Sequence, residues 1–114
     1  MSSFEDLDVW RRSCDLSVHV CDALRKCNDY GFRDQITRSA VSVPSNIAEG
    51  AERHSRKEFS QFLGYAKGSA GELRTQLIIA GRLGYITEIQ SKEWISETRE
   101  ISAMIYGLAK SLEQ

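Results

Sequence analysis

Two histidines, three cysteines and a basic run at Arg53-His54-Ser55-Arg56-Lys57 are the side chains with chemistry to offer. A di-metal site in a helical protein needs inward glutamates and Glu-x-x-His pairs. Neither His19 nor His54 has a glutamate three positions before it. Cys14, Cys21 and Cys27 lack the Cys-x-x-Cys spacing of a zinc site. Cys14 and Cys21 share a helix face two turns apart, roughly 10 Å by helix rise, which is beyond disulfide reach. Reduced, buried thiols are therefore expected. No P-loop, Gly-x-Gly-x-x-Gly or Gly-x-Ser-x-Gly is present. Gly64, Gly68 and Gly71 fall in mid-helix, where they cannot cradle phosphate. The pattern predicts no catalytic residue, no cofactor and no metal, and turns attention to binding.

Two polar groups could bind. Arg53, His54, Arg56 and Lys57 concentrate positive charge at one turn, and phosphate contacts need only such groups. In a ring of identical subunits the turn would repeat around one rim, making a modest patch multivalent. Glu49, Glu52 and Glu58 stand beside it, so a solvated loop is the other reading. Arg38, Asn46, Glu49 and Glu72 lie on helices among apolar neighbours. They read either as a polar network fixing the packing between helices or subunits, since buried charge must be paired, or as a ligand site.

The elements that position these residues are helical. Ile36, Ala40, Val43 and Ile47 recur at spacings of four, three and four, one face of a 3.6-residue period. The single proline, Pro44, lies inside this run and removes a backbone donor. Such a residue costs about 3 kcal/mol in a helix interior, so the reading is a helix kinked at Pro44 and held by packing. The alternative is a helix ending at Val43, with a new turn at Ser45. On the first helix Trp10, Cys14, Ser17, Cys21 and Leu24 make one stripe, and Val9, Leu16, Val20, Ala23 and Cys27 a second. Asn28-Asp29-Tyr30-Gly31 supplies turn chemistry, with Gly31 free to take positive φ.

Ser55 and Glu58 form a capping box before the third helix, and Thr87 and Gln90 another before the fourth. The third helix carries a core stripe of Phe59, Phe62, Leu63, Ala66, Ala70, Leu73, Leu77 and Ala80, and Gly84 is a good C′ residue. Trp94, Thr98, Ile101, Ile105, Leu108 and Leu112 form the seam of the fourth. The expectation is a single all-α domain over residues 1–114, an antiparallel up-down four-helix bundle with helices at about 7–28, 32–52, 56–83 and 88–112.

A lone bundle needs one apolar stripe per helix. Val41 and Ala48 form a second apolar edge on the second helix, and Gly64, Gly68 and Gly71 gather with Ile78 on one side of the third. Glycine in a helix interior costs ~1 kcal/mol against alanine, so the three call for close approach of another backbone. These six residues predict a subunit interface in a closed homo-oligomer. At 114 residues, 41% hydrophobic and 27% charged, with a formal net charge of −1, the chain fits a soluble globular protein without an overall basic coat. The acidic start lacks a signal-peptide pattern. No apolar run approaches the ~20 residues that span a bilayer, so a cytoplasmic protein with no membrane partner is expected.

The chain resembles a known family. The residues that carry the likeness are Leu7-Asp8-Val9-Trp10, the run from Gln35 to Gly50 with its Ser-Val-Pro-Ser-Asn-Ile-Ala-Glu-Gly core, Arg53, and Phe62 to Ser69 with Glu72-Leu73. They are similar to the four-helix-bundle proteins of the 23S ribosomal RNA intervening-sequence family, of which the accessory variability protein of diversity-generating retroelements is a related branch. The resemblance implies a small bacterial bundle that assembles as a ring, typically a pentamer. The retroelement branch is basic, binds nucleic acid and associates with a reverse transcriptase, whereas this chain is near neutral. It also has Asn28-Asp29-Tyr30-Gly31 where a proline and an acidic residue often precede the second helix, and Ala70-Gly71 where bulkier residues are common.

Together these point to a non-catalytic homo-oligomeric binding module, an accessory protein for RNA, DNA or a nucleic-acid enzyme. The alternative is a protein–protein scaffold that binds no nucleic acid.

Overall fold

The computed structural model describes residues 3–113. A short 3-10 turn at Phe4–Asp6 leads into α1 (Asp8–Ala23), α2 (Tyr30–Ala51), α3 (Arg56–Leu83) and α4 (Glu88–Ser111). There is no strand among the described residues. Each helix packs on its neighbour in sequence, and α1 packs on α4, which closes the bundle. As α2 advances from Ser39 through Ser42 to Gly50, its partners on α3 retreat from Glu72 through Ser69 to Phe62. The α3–α4 pairs Arg74–Ser102, Arg74–Thr98 and Gly81–Ser91 behave likewise.

The core is built from periodic apolar residues. Ile36, Ile47, Leu63, Leu73, Leu77, Ile101 and Ile105 are almost wholly removed from water. Each such side chain contributes about 1.5–3 kcal/mol relative to leaving it exposed. On α1 the fully buried stripe is Val9, Leu16 and Val20, together with Ser13 and Ser17. Trp10, Cys14 and Cys21 of the other stripe are only half-buried at the bundle edge. The thiols are free but not deeply buried, and partial burial still pushes Cys14 and Cys21 above the ordinary thiol pKa.

Two boundaries differ from expectation. Helix α1 stops at Ala23, not near Asn28, as the chain tightens just past the buried Leu24. The N–H groups of Arg25 and Cys27 bond three residues back, to Asp22 and Leu24. Helix α2 starts early, at Tyr30, because Asp29 is its N-cap and accepts from the Phe32 N–H at 3.2 Å. Gly31 is thereby helical, and the only positive φ among the described residues is that of Gly84, at 78°. There the N–H groups of Tyr85 and Gly84 close onto the carbonyls of Ala80 and Gly81, a Schellman motif.

The Thr87–Gln90 capping box is complete. At Ser55 only half the box forms: the hydroxyl caps the Glu58 N–H at 3.1 Å, while the Glu58 carboxylate takes up the Ser55 hydroxyl and not its backbone N–H. Helix α2 runs unbroken through Pro44.

Candidate binding surfaces

The residues expected at a subunit interface lie on outer faces of the chain. Val41 is 48% exposed and Ala48 half-buried. They line a groove of about 460 Å³ between α1 and α2, whose other walls include Phe4, Trp10, Val18 and Pro44. Val18, 66% exposed, extends the apolar surface, and Phe4 stands edge-on to Trp10 with ring centroids 5.1 Å apart. Helix periodicity explains the groove: α1 and α2 bury one face inward and leave a second apolar edge beside their seam.

On α3, Gly64 and Gly68 are exposed and Gly71 is half-buried. A Cβ built on any of the three meets nothing within 4 Å. Within the chain, then, no backbone approaches them. The close approaches are at two other glycines. A Cβ on Gly50 would sit 2.6 Å from the Phe62 Cβ, and one on Gly81 2.5 Å from the Ser91 Oγ. Nothing in the local pattern separates these glycines from the other three, because the contact is made by a residue on the next helix.

The four polar residues read as a possible network do not meet within the chain. Asn46 donates to the carbonyl and hydroxyl of Ser42 at 2.9 and 3.0 Å, and Ser42 pairs with Ser69 at 3.0 Å across the α2–α3 seam. The Ser39 hydroxyl lies 3.3 Å from the Glu72 carboxylate and 3.1 Å from the Gln35 carbonyl, between which its one proton is shared. Glu49 pairs with Arg53 at 2.8 Å, and Arg38 is exposed with no partner among the described residues. Short hydroxyl side chains fit between closely packed helices, whereas the long charged ones project outward.

The basic turn is partly engaged. Arg53 reaches Glu49, lies 3.8 Å from Glu58, and stacks over the Phe62 ring at 4.7 Å. His54, Arg56 and Lys57 are exposed beside it. A second cationic group was not evident from spacing alone: Lys67 and Arg74 of α3 and Arg99 of α4 line one groove with Ser102 and Tyr106. Between α1 and α4, Arg12 holds Glu97 through two bonds, 2.9 and 2.5 Å. That hydrogen-bonded carboxylate, and Glu100 at 3.4 Å, raise the guanidinium pKa further above its already high ordinary value. His19 stacks on Trp94 in the same cleft, with centroids 6.5 Å apart. Among the described residues no three His, Cys, Asp or Glu side chains gather to hold a metal ion. No helix among them is long and apolar enough to cross a membrane.

Compared with known proteins, residues 5–107 match the family described as 23S rRNA-intervening sequence protein. The chain belongs to this family. Its bundle is similar to a solved structure of a protein of unknown function from the S23 ribosomal protein family of Bacteroides thetaiotaomicron VPI-5482. The TM-score is 0.84 at 25% identity, covering 90% of this chain and 98% of the other. No curated protein matches the chain. The region matched to the 23S rRNA-intervening sequence protein family takes in α1 to α3, most of α4 and the Pro44 run.

Proposed function

We propose that the protein is a non-catalytic cytoplasmic module that assembles from copies of itself and docks nucleic acid or a nucleic-acid enzyme. The observation that carries self-assembly is the apolar α1–α2 groove, with Val18 and Val41 open to solvent beside Trp10 and Phe4. Isolated apolar residues on a surface are ordinary, but a contiguous apolar groove favours a partner. The smooth glycine face of α3, Gly64, Gly68 and Gly71 with Ile78, offers the complementary surface on a second copy. Groove against glycine face is a head-to-tail contact, which closes into a ring when the rotation permits. The family resemblance suggests five subunits. Arg38 and Glu72, both exposed in one chain, are available to pair across such a seam.

Sedimentation velocity at micromolar concentration tests the assembly. Particles several-fold heavier than one chain are expected, and a sample sedimenting only as single chains refutes it. The second reading, a protein scaffold without nucleic acid, is favoured by the net charge of −1. Affinity capture with and without nuclease separates the two. Co-purifying RNA or DNA supports docking of nucleic acid, and nuclease-resistant protein partners support the scaffold.

A further inference from the structure

We infer that the groove between α3 and α4 binds the backbone and an unstacked base of single-stranded nucleic acid. The inference rests on the nucleic-acid part of the reading above and places the contact away from the Arg53–Lys57 turn. Lys67 and Arg74 from α3 and Arg99 from α4 line a groove of about 390 Å³ whose lining includes no carboxylate. Arg11, Arg12, Arg25, Arg33 and Arg53 each stand within 4.0 Å of an Asp or Glu. Like Arg38 and Arg82, the three groove cations have no such partner among the described residues, but only they converge on one groove, where their charge is left for an outside anion.

Arg74 is also held in place. Its Nε donates to the Thr98 Oγ1 at 3.2 Å and a terminal nitrogen donates to the Ser102 Oγ at 3.1 Å. Thr98 and Ser102 are buried, and the Thr98 hydroxyl donates its own hydrogen bond to the Ile95 carbonyl at 2.6 Å. The guanidinium is thus oriented by neutral hydroxyls that do not cancel its charge, which lowers the ordering cost of gripping a phosphate. Lys67 and Arg74 are seven residues apart, about 10 Å along the helix, so they reach different phosphates of one strand.

Tyr106 supplies the second element. The residue is 55% exposed at the groove, with the Lys110 Nζ 5.9 Å from its ring centroid. An exposed aromatic ring within a positive groove is the platform on which single strands stack a base. A duplex keeps its bases stacked inside and would gain nothing from this ring. A near-neutral chain with one local basic groove beside an exposed ring suits one strand.

The test is fluorescence anisotropy of labelled oligouridylate and oligodeoxythymidylate with the intact protein, titrated over a range of salt. Binding that weakens with salt is expected. The Lys67→Ala/Arg99→Ala variant should bind on the order of tenfold more weakly, its log–log salt slope shallower by about 0.7 for each lost phosphate contact. Tyr106→Ala should weaken binding about tenfold at unchanged slope, with Tyr106→Phe restoring it. The Arg53→Ala/Arg56→Ala/Lys57→Ala variant should bind like the parent. If the turn variant loses binding and the groove variant keeps it, the groove assignment is overturned while nucleic-acid docking stands. A parent that binds neither oligonucleotide overturns both. Displacement by polyglutamate as readily as by unlabelled oligonucleotide reassigns the groove to an acidic protein.

Discussion

The hydroxyl of Ser17 on α1 lies 2.6 Å from the carbonyl oxygen of Ala40 on α2 and donates to it. Ala40 is four residues before Pro44, so its carbonyl is the one that the proline leaves without a helical donor. A neighbouring helix supplies the missing proton. Ser17 also approaches the Ser13 carbonyl, at 2.9 Å, but its one proton favours the shorter contact. The pair explains how α2 carries a buried proline in its interior without an orphaned acceptor.

Replacing Ser17 with alanine should lower stability by about 1–3 kcal/mol, the penalty for a buried acceptor left unpaired. In a Pro44→Ala background the new N–H at position 44 gives the Ala40 carbonyl a helical donor, and the same Ser17 change should lose much of its effect. Urea unfolding of the four proteins of the cycle measures the coupling. Purely additive losses would show that Ser17 does not serve the proline.

Glycines should separate into two classes. Gly50→Ala and Gly81→Ala place a methyl against Phe62 and Ser91 and should each destabilise by about 1–3 kcal/mol. Gly68→Ala meets nothing in the chain and should raise helix stability by up to ~1 kcal/mol. If the glycine face seats a second copy, the same Gly68 change should weaken assembly. Thermal unfolding and sedimentation, run on the same samples, read the two effects separately.

A charge in the α1–α2 groove should dissociate the assembly while sparing the fold. Val18 and Val41 are exposed, so Val18→Glu/Val41→Glu leaves the buried core untouched. The expected outcome is an unchanged helical circular dichroism spectrum with single-chain sedimentation. A variant that still sediments as the parent does would remove this groove from the interface.

Tyr85 and Asp29 link the two turns at one end of the bundle, the phenol donating to the Asp29 carboxylate at 2.8 Å. That hydrogen bond, aided by desolvation and the carboxylate charge, raises the Tyr85 pKa above its ordinary value. The folded state therefore holds the phenolic proton more tightly than the unfolded chain. The contribution to stability is full below the ordinary phenol pKa near 10 and disappears as pH rises through the higher folded value. Tyr85→Phe should be less stable than the parent at neutral pH, and the difference should vanish in strong alkali. Ultraviolet titration should show the alkaline-shifted tyrosine step missing from this variant.

Much of the helical architecture is written in local pattern. The buried stripes of α3 and α4, the caps at Ser55 and Thr87, and the Gly84 terminus each depend on residues within a turn or two of one another, which sequence spacing displays directly. The unfilled edge carrying Val41 and the exposed glycine face were visible for the same reason.

Other features needed a partner far along the chain. Which stripe of α1 is buried, which glycines are tight, and what satisfies the Ala40 carbonyl are decided by the helix that packs alongside. Lys67, Arg74 and Arg99 form one groove only because α3 lies against α4. Spacing in sequence therefore determined the helices and their apolar faces, since 3.6-residue periodicity and capping act over a few residues. Tertiary packing alone decided which faces meet, because burial and charge pairing are set by distance in space.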